Sequence, residues 1–89
     1  MALFKLGSIV ATPGALQFCA ELSIDPLELI GRHTAGDFGD LDADDVAANV
    51  HGIKHDLRVF SSYQFKHGKV WVITEADRSS TCLLLPDEY

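Results

Sequence analysis

Basic residues are scarce in this chain. Seven Lys or Arg stand against thirteen Asp or Glu, for a net charge of −6. A surface of that sign repels nucleic acid and anionic membranes, and no basic stripe with interleaved aromatics offsets it. Cysteine is scarce as well. Cys19 and Cys82 are too few for the disulfide framework of a small secreted protein. Each sits in an apolar stretch, where a free thiol acts as a small hydrophobe. Nothing approaches the ~18 apolar residues of a membrane span. The opening Met1-Ala2-Leu3-Phe4-Lys5-Leu6-Gly7 lacks the basic and long apolar regions of a signal peptide. The expected compartment is the cytoplasm. A glycine-rich phosphate loop is also missing, since Gly36-Asp37-Phe38-Gly39 has too few glycines and the wrong charge.

What is present suits one domain over residues 1–89, with a 47% hydrophobic content that offsets chain entropy. Leu3 to Ala11 reads as a short strand. Thr12-Pro13 then opens a helix, Thr12 as N-cap and Pro13 at the first helical position, with Leu16, Cys19 and Ala20 turned inward. Asp25-Pro26, with Glu28 three after the cap, starts a second helix whose Leu27 and Ile30 point inward, and Gly36 suits its left-handed end. Asp42 caps a third helix. Asp44 and Asp45 complement its positive end, and Val46, Val50 and Ile53 form one apolar face.

Leu57 to Phe65, Val70 to Thr74 and Thr81 to Leu85 read as strands, with Gly68 in the first hairpin and Pro86 as a stop. The expected fold is α+β: an N-terminal strand, three short helices, then a three-stranded antiparallel meander, the helices packed on one face of the sheet.

Four groups of residues invite chemistry. Asp37, Asp40, Asp42, Asp44 and Asp45 place five carboxylates in nine residues. Asp40, Asp42 and Asp44 match the first ligands of a calcium loop, but Asp45 stands where Gly is needed and His51 where Glu is needed. Helix capping and a solvated face explain them at less cost, and no metal site is assigned. His51 and His55 have a zinc-like spacing, yet Gly52 occupies the position where a zinc protease needs Glu. They read as surface histidines.

Thr74 to Thr81 packs Asp77, Arg78 and hydroxyls around one turn. Arg78 has the fork to hold a carboxylate or phosphate. The plainer reading is a turn in which Asp77 accepts backbone N–H groups and Arg78 pairs with a nearby carboxylate. Lastly, His33, Asn49, Ser61 and Tyr63 fall where side chains face other elements, and satisfied core polar groups are the default. The alternative is His33 beside Asp37 or Asp40 as a general base, but no matched nucleophile accompanies it. The candidate contact residues are therefore His33, Asp37, Asp40, Asn49, Tyr63, Asp77, Arg78 and Thr81. None is assigned as catalytic, and no cofactor is expected.

The string His33-Thr34-Ala35-Gly36-Asp37-Phe38-Gly39-Asp40, with Asn49, Arg58 to Ser61, Tyr63, Trp71 to Ser79 and Leu84 to Tyr89, resembles a family of small bacterial proteins called plasmid-related or hypothetical, some bearing a restriction-modification label. The likeness also takes in Gly7 to Leu16. Phe38 stands where that family has Trp, and Asp56 where it often has Gly. The resemblance implies carriage on plasmids, phages or integron cassettes and no particular reaction.

Three functions follow in order of preference. The first is an accessory protein of a mobile element, binding a protein partner through the acidic face from Asp37 to Asp45, for example as an anti-restriction factor mimicking nucleic-acid charge. The second is a homo-oligomer or small-ligand binder, because Phe60, Phe65 and Trp71 put large apolar groups on both sheet faces. The third is a small hydrolase or nuclease joining the 36–40 loop to the Arg78 turn. Direct nucleic-acid or membrane binding is not expected.

Overall fold

The computed structural model describes residues 2–89. Strand β1 (Ser8–Ala11) is followed by helices α1 (Pro13–Glu21), α2 (Pro26–Thr34) and α3 (Ala43–His55). Strands β2 (Val59–Phe65), β3 (Gly68–Thr74) and β4 (Ser80–Leu84) follow, and a short 3-10 turn at Pro86–Glu88 closes the chain. The protein is α+β, as its sequence pattern requires.

The three-stranded antiparallel meander expected from the sequence is only part of the sheet. The observed sheet has four strands in the order β1-β4-β3-β2 and is mixed. β2, β3 and β4 pair antiparallel, while β1 lies parallel to β4, with Ile9 opposite Thr81 and Ala11 opposite Leu83. A parallel neighbour needs a long crossover, and here almost the whole chain provides it. Gly7 makes the entry possible: its φ is +65°, and a Cβ there would strike the backbone of Arg78 and Ser79.

The helix starts form as their caps dictate. Thr12 Oγ1 accepts from Ala15 N at 3.1 Å, Asp25 Oδ1 from Leu27 N at 3.0 Å and Asp42 Oδ1 from Asp45 N at 2.9 Å. Each such cap is worth about 1 kcal/mol. Inside, Ala15 and Cys19 of α1 and Leu29 and Ile30 of α2 close over Tyr63, Val70, Val72 and Leu83 on one face of the sheet. Burial of each larger apolar side chain contributes roughly 1.5–3 kcal/mol. Leu16 and Leu27, expected to point inward, are exposed instead. The buried stripes of these helices run one or two positions away, through Ala15 and Leu29.

The expectation that all three helices share one face also needs correction. α3 rests against the outer edge of β2, and only Asn49 and Gly52 of its thirteen residues are buried. Val46 and Val50 remain exposed. At 100° per residue, Asn49 and Gly52 lie some 60–120° around the helix from Val46, so apolar periodicity pointed to a flank rather than to the packed side.

Candidate functional site

The 36–45 segment is built onto β2, which would otherwise present an open row of backbone groups. Ser62 N donates to Phe38 C=O at 3.1 Å, and Asp40 N donates to Ser62 C=O at 2.7 Å. Gln64 N donates to Asp40 Oδ2 at 2.7 Å. The Asn49 side-chain amide completes the row, giving to Phe60 C=O at 2.5 Å and taking from Phe60 N at 2.9 Å. Gly39 permits the close approach. Its φ is +75°, and a Cβ would collide with Ser62 C=O. The acidic loop is thus a cover for a sheet edge.

Asp37 is held on three sides. Its Oδ2 takes a 2.7 Å hydrogen bond from Arg32 Nε, its Oδ1 one of 3.2 Å from Gly39 N, and its carbonyl one of 2.6 Å from Tyr63 Oη. The Arg32 hydrogen bond holds the Asp37 carboxyl below the usual carboxylate range. The Arg32 guanidinium also lies 4.5 Å over the Tyr63 ring. Burial pushes the Tyr63 phenol up to about 12. Asp40 and Asp42 are spent on backbone N–H groups. Asp44 and Asp45 are exposed. Among the described residues no cluster of three or more Asp, Glu, His or Cys side chains converges as metal ligands.

Beneath this loop runs a buried polar chain. His33 Nδ1 meets Ser61 Oγ at 2.6 Å, and Nε2 meets Thr74 Oγ1 at 2.9 Å. Thr74 Oγ1 meets Thr81 Oγ1 at 2.7 Å, and Thr81 Oγ1 donates to Leu6 C=O at 2.8 Å. That terminal carbonyl, together with a neutral imidazole, fixes the direction of every proton. Thr81 gives its only hydrogen to Leu6, so Thr74 must donate to Thr81 and His33 Nε2 must donate to Thr74. The Nδ1 atom then accepts from Ser61, and His33 is the neutral Nε2–H tautomer. Burial agrees, lowering the imidazole to about 4. His33, Ser61, Thr74 and Thr81 are all fully buried, and Phe4 and Phe38 flank the imidazole edge-on. The network orders the core, and a substrate has no route to its serine.

The 75–79 turn has a similar economy. Ser79 N donates to Asp77 Oδ1 at 2.9 Å, as the plainer sequence reading expected. Arg78 does not pair with a carboxylate. Its guanidinium donates to the carbonyls of Leu57 (2.7 Å), Gly52 (3.0 Å), Glu75 (3.1 Å) and Ala76 (3.3 Å). It therefore ties the C-terminal end of α3 to the β3–β4 turn, and the negative end of the helix favours the cation there.

Arg78 and His33 approach each other only across Phe4, whose ring sits 5.6 Å from the guanidinium carbon and 5.2 Å from the imidazole. Of the two concavities described, neither is lined by the 36–40 loop or the Arg78 turn. Asn49, Asp40, Asp37 and Tyr63 do come together, as parts of one sheet edge. Asp77 and Arg78 sit apart from them.

Sequence reasoning overlooked Phe4, and it saw the apolar second sheet face of Phe60 and Trp71 without Arg58 and Tyr89. Phe4 links the histidine to the arginine, and nothing in a short apolar N-terminal run singles it out. On the sheet face opposite α1 and α2, Phe60, Trp71, Ile73, Arg58 and Tyr89 line a cavity of about 210 Å³. The rings of Phe60 and Trp71 meet edge-to-face at 5.1 Å, and those of Trp71 and Tyr89 at 5.9 Å. Arg58 joins Tyr89 Oη at 2.8 Å and Glu75 Oε1 at 3.1 Å. Period-two spacing places Arg58 with Phe60 and Trp71 with Ile73, but only the chain reversal at Pro86 brings Tyr89 to them. His51 and His55 are exposed with ring centroids 4.3 Å apart. Compared with protein-family models, curated proteins and solved structures, this chain gives no match.

Proposed function

We propose that this protein acts by binding another protein, with the acidic surface around the start of α3 as its contact for a basic partner. The observation that supports this reading is the division of labour among its polar groups. His33, Ser61, Thr74, Thr81, Asn49 and Arg78 are committed to internal hydrogen bonds, whereas Asp44 and Asp45 project into solvent from a braced loop and helix start. A fixed patch of one sign accelerates encounter with an oppositely charged partner. The sequence resemblance to plasmid-related bacterial proteins is the ground for placing the chain on a mobile element and its partner in the bacterial cytoplasm.

Affinity capture from bacterial lysate, with wild type and the Asp44→Asn/Asp45→Asn variant side by side, tests this. A basic protein retained by wild type, lost at raised salt and weakened in the variant supports the reading. Equal recovery by both forms overturns it.

A further inference from the structure

We propose that His51 and His55 form a two-ligand site for a divalent transition-metal ion (zinc, nickel or copper) on the exposed side of α3. This goes beyond the basic-partner reading and does not depend on it. The two residues are four apart, so one turn of helix sets one imidazole above the other. Spacing alone allows many side-chain arrangements. The structure shows the rings together, with centroids 4.3 Å apart and planes at 40°. Two imidazoles that share one metal at about 2.0–2.1 Å per nitrogen, in neighbouring coordination positions, hold their centroids roughly 4.5–5 Å apart. A small rotation about the side-chain bonds closes the difference and turns one nitrogen of each ring to a common point. The helix backbone need not move.

The surroundings select the ligand. Both rings are exposed, and neither takes part in the core polar chain that engages both nitrogens of His33. At 100° per residue the pair lies roughly 120–160° around α3 from Asn49, the residue that docks the helix on β2. The helix is thus fixed from behind while the pair faces water. One turn earlier, Ala47 and Ala48 are exposed and end at Cβ, which leaves room for the waters that complete a metal's coordination. Imidazole nitrogen suits zinc, nickel and copper, whereas calcium and magnesium take oxygen ligands. Lys54 and Asp56 flank His55 with offsetting charges, and the chain as a whole carries −6, which draws a cation in. Two protein ligands leave the other coordination positions to water or to a donor from a bound molecule. The site is therefore an exchangeable one, unlike the closed four-ligand sites that hold a structural zinc.

Isothermal titration of the full chain, free of any affinity tag, with nickel or zinc chloride reads this directly. One ion per chain is expected. His51→Ala and His55→Ala each leave a single imidazole and should weaken binding about tenfold or more, because the second member of a chelating pair acts at high effective concentration. Both positions are exposed, and circular dichroism confirms that each variant is folded. His67→Ala and Cys82→Ser remove other accessible donors and should leave binding unchanged, and excess magnesium should not displace the ion. A chain that takes up neither nickel nor zinc at millimolar concentration overturns the proposal. So does uptake that survives His51→Ala, or uptake that is lost in His67→Ala or Cys82→Ser.

Discussion

The side-chain amide of Asn49 takes the place of a fifth strand for Phe60, accepting from its N–H at 2.9 Å and donating to its C=O at 2.5 Å. With the 38–40 segment engaging Ser62 and Gln64 below it, this contact seals one edge of the sheet. The opposite edge, β1, is four residues long, and short length is itself a way to blunt an edge.

Asn49→Leu should therefore do more than empty a polar site. It leaves the Phe60 N–H and C=O without their partner and places an apolar group against them. A loss of about 2–4 kcal/mol is expected from two unsatisfied backbone groups. Urea unfolding measures it, and light scattering of the folded variant should show an increased tendency to self-associate through β2.

His33 makes stability depend on pH in a window that carboxylates leave clear. Its folded imidazole is lowered from 6.5 to about 4 by burial. Above pH 6.5 the ring is neutral in both folded and unfolded chains, and its contribution is complete. As pH falls from 6.5 toward 4, the unfolded chain takes up the proton first, so stability declines by about 3 kcal/mol. Below 4 this decline ends. His33→Phe should flatten the slope between pH 6.5 and 5. It should also cost about 2–4 kcal/mol at pH 7, because Ser61 and Thr74 lose a buried partner. Denaturation midpoints across pH check both outcomes.

Asp56 closes α3 with φ 55° and ψ 49°, in the left-handed region. That backbone shape is one that glycine adopts without the Cβ penalty an aspartate carries. Asp56→Gly removes the Cβ strain and a carboxylate from the negative end of the helix. A gain of roughly 0.5–1 kcal/mol is expected, read as a higher melting temperature.

Arg78 binds four carbonyls with a planar fork, which a lysine cannot reproduce. Arg78→Lys should loosen the last turn of α3 while the sheet holds. Hydrogen exchange is the suitable measurement: faster exchange confined to residues near 52–57 is expected, with β3 amides unchanged.

Much of this was legible in the residues. Thr12, Asp25 and Asp42 cap their helices because short oxygen-bearing side chains followed by helix formers encode that state locally. The run of β-formers from Val70 to Thr74 and the glycine at 68 specify the hairpin for the same reason. The buried polar chain was half-legible: His33 and Ser61 stand out as polar residues that face other elements, while Thr74 and Thr81 read as parts of a turn, and their spacing in sequence says nothing about which of them touch. The role of Arg78 was misread because a guanidinium paired with carbonyls and one paired with a carboxylate look identical in a sequence.

By itself the sequence determined where the three helices begin and that strands flank them, since capping, turn chemistry and periodicity act over a few neighbouring residues; the strand read from Leu3 starts only at Ser8. Only the tertiary structure decided that β1 joins β4 in parallel, that α3 lies along an edge with its apolar residues bare, and that the 36–40 loop closes a sheet edge. Those outcomes depend on contacts between residues tens of positions apart. There many local patterns are equally satisfied, and the choice falls to the arrangement that leaves the fewest backbone groups without a partner.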